Sequence, residues 1–273
     1  MPTTYAHYRF GCTVYRRLPG REKALIDACR PLYDFGLHGP DVLFYYRPFL
    51  RSPVRALGCS MHNQTGREVF AQAGARLAQE DDQRPLLAYT YGFLCHFVLD
   101  SMCHGYVAQK MADSGLSHAE IEAEFDRALL VRDGRDPLRS RVTQHLRPTA
   151  AHAAVLSRFF PGVTPRQMHE AMRSMVRELD VLAAQTRLGR GALRAALALT
   201  CGRGMRDLVL RERPNPACFD SSEELARRYA QAQPQAVDAI VRYLDIVDGR
   251  AAFSGLFDRT FDPAPEAEGE VWT

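Results

Sequence analysis

In the middle of the chain two histidines and an aspartate stand in the ladder His96-x₃-Asp100-x₃-His104. On a helix, positions four apart are offset by only about 40°, so these three side chains share one face. The flanking sequence from Leu86 to His104 is apolar on nearly every side, which predicts a buried central helix. Burying a carboxylate and two imidazoles costs several kcal/mol unless a strong partner compensates. A hydrogen-bonded His–Asp–His ladder is the plainer arrangement. Three groups on one buried face favour a metal ion.

A second pair follows. His118 and Glu122 are again four apart, in the first turns after Ser117, whose hydroxyl and the following Glu120 read as a helix start. The stretch from Gly105 to Leu116 is short enough to bring them back beside His104. His104, His118 and Glu122 then form a His₂–carboxylate set that suits zinc and leaves room for water. Glu120 and Glu124 fall on other faces and are expected to meet solvent. Upstream, His7 lies on the first predicted helix and Asp41 in the tight turn Leu37-His38-Gly39-Pro40-Asp41. His62 precedes a helix whose start is marked by Asn63 and Gly66. Taken singly, His7 reads as a surface histidine and Asp41 as a helix cap.

Taken in order, His7, Asp41, His62, His96, Asp100, His104, His118 and Glu122 resemble the zinc-dependent phospholipase C family and the trinuclear-zinc single-strand nucleases related to it in fold. The segments Tyr5 to Gly11, Gly39 to Phe44 and Phe93 to His104 carry the likeness. It covers roughly residues 1–130, with a helical continuation that includes Phe159-Phe160-Pro161-Gly162-Val163-Thr164-Pro165. The resemblance implies an all-α, multi-helix bundle around a cluster of about three zinc ions. It assigns His62, His96, Asp100 and Asp41 to the first ion, and His104, His118 and Glu122 to the second. The third falls to His7, the amino end of the chain and a bridging Asp100. Secreted members expose a mature N-terminal tryptophan, whereas this chain begins Met1-Pro2.

Clustered zinc suits phosphodiester hydrolysis, because it acidifies bound water, neutralises phosphoryl oxygens and stabilises the leaving alkoxide. Iron or manganese fits the same N/O donors. Asp41 and Asp100 are the candidate catalytic carboxylates, Asp41 by direct ligation or by orienting the water. Tyr45, Tyr46 and Arg47 are candidates for substrate binding, through a cation–π contact or an anionic phosphate; plain packing explains the tyrosines equally well. The expected substrate is a phosphodiester or a phospholipid-like molecule. Two alternatives remain open: a phosphodiesterase or nuclease acting on soluble substrates, and a non-catalytic metal-stabilised helical binding protein.

These residues must be positioned by helices. Apolar residues recur at three- and four-residue spacing almost throughout, which predicts helices near 5–18, 21–35, 63–80, 84–111, 118–131, 149–159, 165–185, 189–211 and 222–248. Thr164-Pro165 with Gln167, and Ser221 with Glu224, read as capped starts, and Pro234 should kink the last helix. Turn-rich stretches lie at Gly36 to Pro53, Asp133 to Pro148 and Pro214 to Pro216. We expect one helical domain over residues 1–250 and a C-terminal segment over 251–273. The acidic run from Asp262 onward reads as disordered.

The formal charge is +3, from 35 Lys and Arg against 32 Asp and Glu, too small a surplus to indicate nucleic acid. The arginine-rich stretch Arg187 to Arg213 reads as a solvated helix face. Seven scattered cysteines without a CxxC pair suggest reduced thiols, and Cys95 and Cys103 read as core fillers. The N-terminus lacks the basic segment and apolar run of a signal peptide, and no stretch of about 18 consecutive apolar residues appears. The expected compartment is the cytoplasm.

Overall fold

The computed structural model describes residues 4–183, 186–200 and 206–264, with nothing stated for the side chain of Thr200. Among them the fold is all-α, and extended pairing is confined to one isolated bridge, Thr65 with Thr260. The helices are α1 (Thr4–Arg17), α2 (Gly20–Ala28), α3 (Arg30–Gly36), α4 (Pro53–His62), α5 (Gly66–Leu77) and α6 (Arg84–Ser114). They continue with α7 (His118–Arg132), α8 (Ala150–Phe159), α9 (Pro165–Leu182), α10 (Arg187–Thr200) and α11 (Phe219–Val247). Short 3-10 helices cover Gly39–Tyr45, Pro216–Cys218 and Gly255–Asp258.

Every residue of α6 from Leu86 to Gly105 is buried. Its sequence has no polar face because α1, α3, α5, α7, α8 and α11 pack around it. By length and composition it would span a membrane, yet its apolar stretch is wholly buried inside the protein, as befits a core helix. Two glycines set its closest crossing. A Cβ on Gly92 would fall 2.2 Å from the Tyr33 carbonyl oxygen, and one on Gly36 would fall 2.2 Å from that of Tyr89. Without side chains there, the backbones of α3 and α6 meet directly. That contact fixes the chain just before the 3-10 helix that carries Asp41.

The departures from the predicted elements have physical causes. The helix expected over 21–35 is broken at Cys29, whose backbone (φ −130°, ψ 32°) is not helical. Part of the turn-rich stretch after Gly36 is ordered as the Gly39–Tyr45 helix, and α4 begins at its end. Ser52 caps α4 by accepting from the Arg55 amide, Pro53 fills the first turn, and Val54, Gly58, Met61 and His62 form the buried stripe. Small and polar residues between them hide this period. His62 therefore ends one helix, and α5 starts later, at the reciprocal Thr65–Glu68 capping box. α6 runs on to Ser114, so only Gly115 to Ser117 make the return to α7.

The Thr164–Gln167 box forms as expected. α11 starts earlier than expected, and Ser221 lies inside it, donating to the Cys218 carbonyl. Pro234 sits within this helix, which continues to Val247. The last part of the helix expected over 189–211 is irregular at Asp207 to Arg211, and residues 201–205 lie outside the described residues. The arginine-rich stretch is not simply solvated: Arg190 is buried and pairs with the exposed Glu212, and Arg194 reaches Asp207. Glu120 and Glu124 are buried too, held by Arg211 with Asn215 and by Arg127 respectively. Arginine partners, Arg127 on α7 itself and Arg211 from beyond it, override the exposure expected from the turn count. Asp262 is ordered beside His104, and Pro265 to Thr273, where the rest of the disordered tail was expected, lie outside the described residues together with the first three.

Candidate metal centre

The eight residues singled out from the sequence converge around α6. They form three groups: His7 with His96 and Asp100, Asp41 with His62 and His96, and His104 with His118 and Glu122. All but His118 are buried. The first two groups share His96, a partition that differs from the one implied by resemblance, which placed Asp100 with His62 and His96.

Asp100 is the hub. Its Oδ1 lies 3.1 Å from His7 Nε2 and 3.4 Å from His104 Nε2, and its Oδ2 lies 3.0 Å from His96 Nε2. Burial opposes ionisation of Asp100, but the three imidazoles outweigh it and hold the carboxyl well below its ordinary range. Asp41 faces His62, with Oδ1 3.1 Å from Nε2, and its Oδ2 lies 3.8 Å from His96 Nε2. His62 donates from Nδ1 to the Gly58 carbonyl at 2.8 Å, which turns Nε2 toward Asp41. Glu122 Oε1 lies 3.2 Å from both His104 Nε2 and His118 Nε2.

Local structure explains these placements. Gly39 adopts φ +46°, and a Cβ there would lie 2.3 Å from His96 Cδ2. Only glycine lets the Asp41 segment pass so close to α6. Asp126 on α7 accepts from the amides of Tyr5 and Ala6 at 3.0 and 2.7 Å, capping α1 from outside and orienting the turn that carries His7. Burial pushes the Asp126 carboxyl up to about 7, against the effect of those two amides.

The donor set fits a metal. His96 Nε2, His7 Nδ1 and Glu122 Oε2 are buried without a hydrogen-bond partner among the described residues. Buried polar atoms of this kind are costly unless something else satisfies them. Imidazole and carboxylate donors, with no thiolate among them, match zinc. Asp41, His62, Asp100, His104 and His118 also line a basin of about 370 Å³ with Phe44, Ala108, Met111, Asp262 and Pro263.

Of the proposed substrate residues, Tyr45 is buried and lines a separate cavity of about 100 Å³ beside Glu122. Tyr46 is buried under Arg47, whose guanidinium stacks on its ring at 5.2 Å and pairs with Glu170 at 3.1 Å. None of the three is among the residues lining the basin. Sequence reasoning did not single out Asp126, Asp262 or the pair His38 and His145. The last two place their Nε2 atoms 2.8 Å apart behind Asp41, and burial lowers the His145 pKa to about 3 and His38 well below its ordinary value. The expected third site, at the amino end, involves residues outside the described set.

Protonation makes a measurable prediction. In the metal-free protein, burial disfavours the His62 imidazolium, but Asp41 prevails and lifts its pKa to about 9; His7 and His104 are raised as well, by Asp100. These raised values stabilise the metal-free fold below about pH 6.5, and that stability is lost as pH rises through the folded values. Zinc needs the neutral imidazoles. Loading at pH 7 is therefore expected to release about two protons or more per chain, with affinity rising from pH 6 to 9. Calorimetry in buffers of different ionisation enthalpy measures this, and proton-neutral binding would contradict it.

No curated protein and no solved structure matches the chain. The profile of the zinc dependent phospholipase C family matches residues 7–173, a span that contains all eight converging residues. With the helical bundle and its buried imidazole–carboxylate cluster, that match shows that the chain belongs to the zinc dependent phospholipase C family.

Proposed function

We propose that the protein hydrolyses phosphodiesters of amphiphilic alcohols, phospholipase C fashion. The observation that carries this reading is the position of Asp100 between three ligand groups at the wall of a basin. Zinc bound there supplies Lewis acidity and a water acidified to near neutrality. His62, His96 and Asp41 would hold one ion, His104, His118 and Glu122 a second, and His7 with Asp100 part of a third. Asp41 would orient and deprotonate an attacking water, while Asp100, kept ionised by His7, His96 and His104, would hold the metal that neutralises the phosphodiester. Buried Glu122 and the imidazoles exclude bulk solvent from beneath.

The lining of the basin favours an amphiphile over a nucleic acid. Phe44, Ala108, Met111 and Pro263 give it an apolar wall, and Phe44, which among the described residues is its single Phe, Tyr or Trp, is itself stacked on His62 at 5.2 Å. A nuclease reading calls for aromatic platforms on which successive bases stack. The test is a substrate panel with zinc-loaded protein: a short-chain phospholipid, a soluble chromogenic phosphodiester and single-stranded DNA. The phospholipid is expected to be cleaved on the glycerol side of phosphorus, faster than the other two, and chelation should stop the reaction. Faster cleavage of DNA, or no hydrolysis of any member, would contradict the proposal.

A further inference from the structure

The chain after α11 returns to the metal centre. Phe257 and Phe261 are buried in the core, and the Gly66 amide donates to the Arg259 carbonyl at 2.9 Å. Thr260 bridges to Thr65. Phe261 lies against the rings of His62 and His96, with centroids 5.7 and 6.0 Å away. The next residue, Asp262, donates its amide to the His62 carbonyl at 3.3 Å, and its Oδ1 accepts from His104 Nδ1 at 2.6 Å. Two consecutive residues therefore touch His62, His96 and His104. They lie about ninety residues beyond the span matched by the family profile, whose last residue is 173.

We infer that this C-terminal strap is part of the metal centre and that Asp262 is a positioning residue for His104. The inference rests on the metal-centre reading given above. An imidazole offers a lone pair on one nitrogen only when the proton sits on the other. The Asp262 carboxylate fixes that proton on Nδ1, because a carboxylate so close accepts and does not donate. Nε2 is then left as the donor, turned toward Glu122 and Asp100, where the His118 imidazole also points. A carboxylate partner also makes the ligand nitrogen more basic, and loss of such a partner typically weakens metal binding by about 10- to 100-fold. The strap anchors this carboxylate through Phe257 and Phe261, so Asp262 arrives already oriented although its own side chain is half-exposed.

The test compares wild type, Asp262→Ala and Asp262→Asn by zinc competition against a chromophoric chelator, with histidine nitrogen NMR on the zinc-loaded proteins. Asp262→Ala is expected to weaken one zinc equivalent by about 10- to 100-fold while the melting temperature of the metal-free protein stays near wild type. Asp262→Asn keeps an acceptor oxygen and should recover most of that affinity, which a merely structural strap would not explain. The NMR spectrum of wild type should show His104 protonated at Nδ1. Wild-type zinc affinity in Asp262→Ala, or a proton on His104 Nε2, overturns the inference and leaves the functional reading standing. A wild-type protein that binds no zinc overturns both.

Discussion

Asp100→Asn is expected to abolish hydrolysis and to remove more than one metal equivalent from the chain. The amide keeps the volume and one carbonyl oxygen, so the α6 packing survives. It loses the negative charge that faces His7, His96 and His104 together, and one of its two basic oxygens. The NH₂ group that replaces that oxygen would point a donor at imidazole nitrogens or at a cation. Charge stabilisation by a metal site is worth several kcal/mol, and about 4 kcal/mol corresponds to about a thousandfold in rate. The rate should therefore fall by at least about a thousandfold. Metal analysis and turnover of the purified variant measure this beside Asp238→Asn, an exposed carboxylate on α11 paired loosely with Arg242 at 3.8 Å. Glu120 is no neutral control, because it is buried with Arg211 and Asn215. Equal behaviour of the Asp100 and Asp238 variants would show that the α6 face has no metal role.

Gly39→Ala should be nearly as damaging without touching a ligand. Its φ of +46° disfavours any side chain, at a cost of about 1 kcal/mol or more. The new methyl would also meet His96 Cδ2 at 2.3 Å and Phe93 Cε2 at 2.8 Å, both on the rigid central helix. Either the His96 ring or the 3-10 helix carrying Asp41 must move. A displacement of about 1 Å in a reacting constellation can cost about a hundredfold in rate. We expect that loss of turnover together with weakened zinc binding at the Asp41–His62–His96 group, while helical content by circular dichroism is retained. Gly115→Ala is the matched control. Gly115 has φ +67° with nothing within 4 Å of the added carbon, so it carries the conformational cost alone and should leave turnover intact. Equal turnover in the two variants would mean that the close approach to His96 has no functional weight.

The parts legible in the sequence are those where one helix carries its own evidence. The ladder of His96, Asp100 and His104 needs only a period of 3.6 residues and an apolar surround, and α6 supplies both over its buried length. His118 and Glu122 follow from the Ser117 cap and a short return. Asp41 and His7 drew meaning from their place in a family order. What was not legible depends on distant segments meeting. α4 hides its period among small residues, so the sequence places His62 ahead of a helix, whereas it ends one. Glu120 and Glu124 seemed to face water because their arginine partners come from Arg211, far along the chain, and from an unremarked Arg127. Asp262 lies in an acidic, proline-bearing stretch whose composition suggests disorder, and the buried rings of Phe257 and Phe261 just before it tie the segment to the core. Asp126 reaches the amides of Tyr5 and Ala6 across about 120 residues, a cap with no local sequence signature.

Whether the imidazole–carboxylate cluster around Asp100 holds metal is read from elemental analysis of protein purified without chelators. Roughly two to three zinc equivalents per chain are expected, with a fall in melting temperature when they are removed, because a ligand that binds only the folded state stabilises it. Less than about half an equivalent of any transition metal, with a melting temperature indifferent to chelation, would contradict metal binding by this cluster.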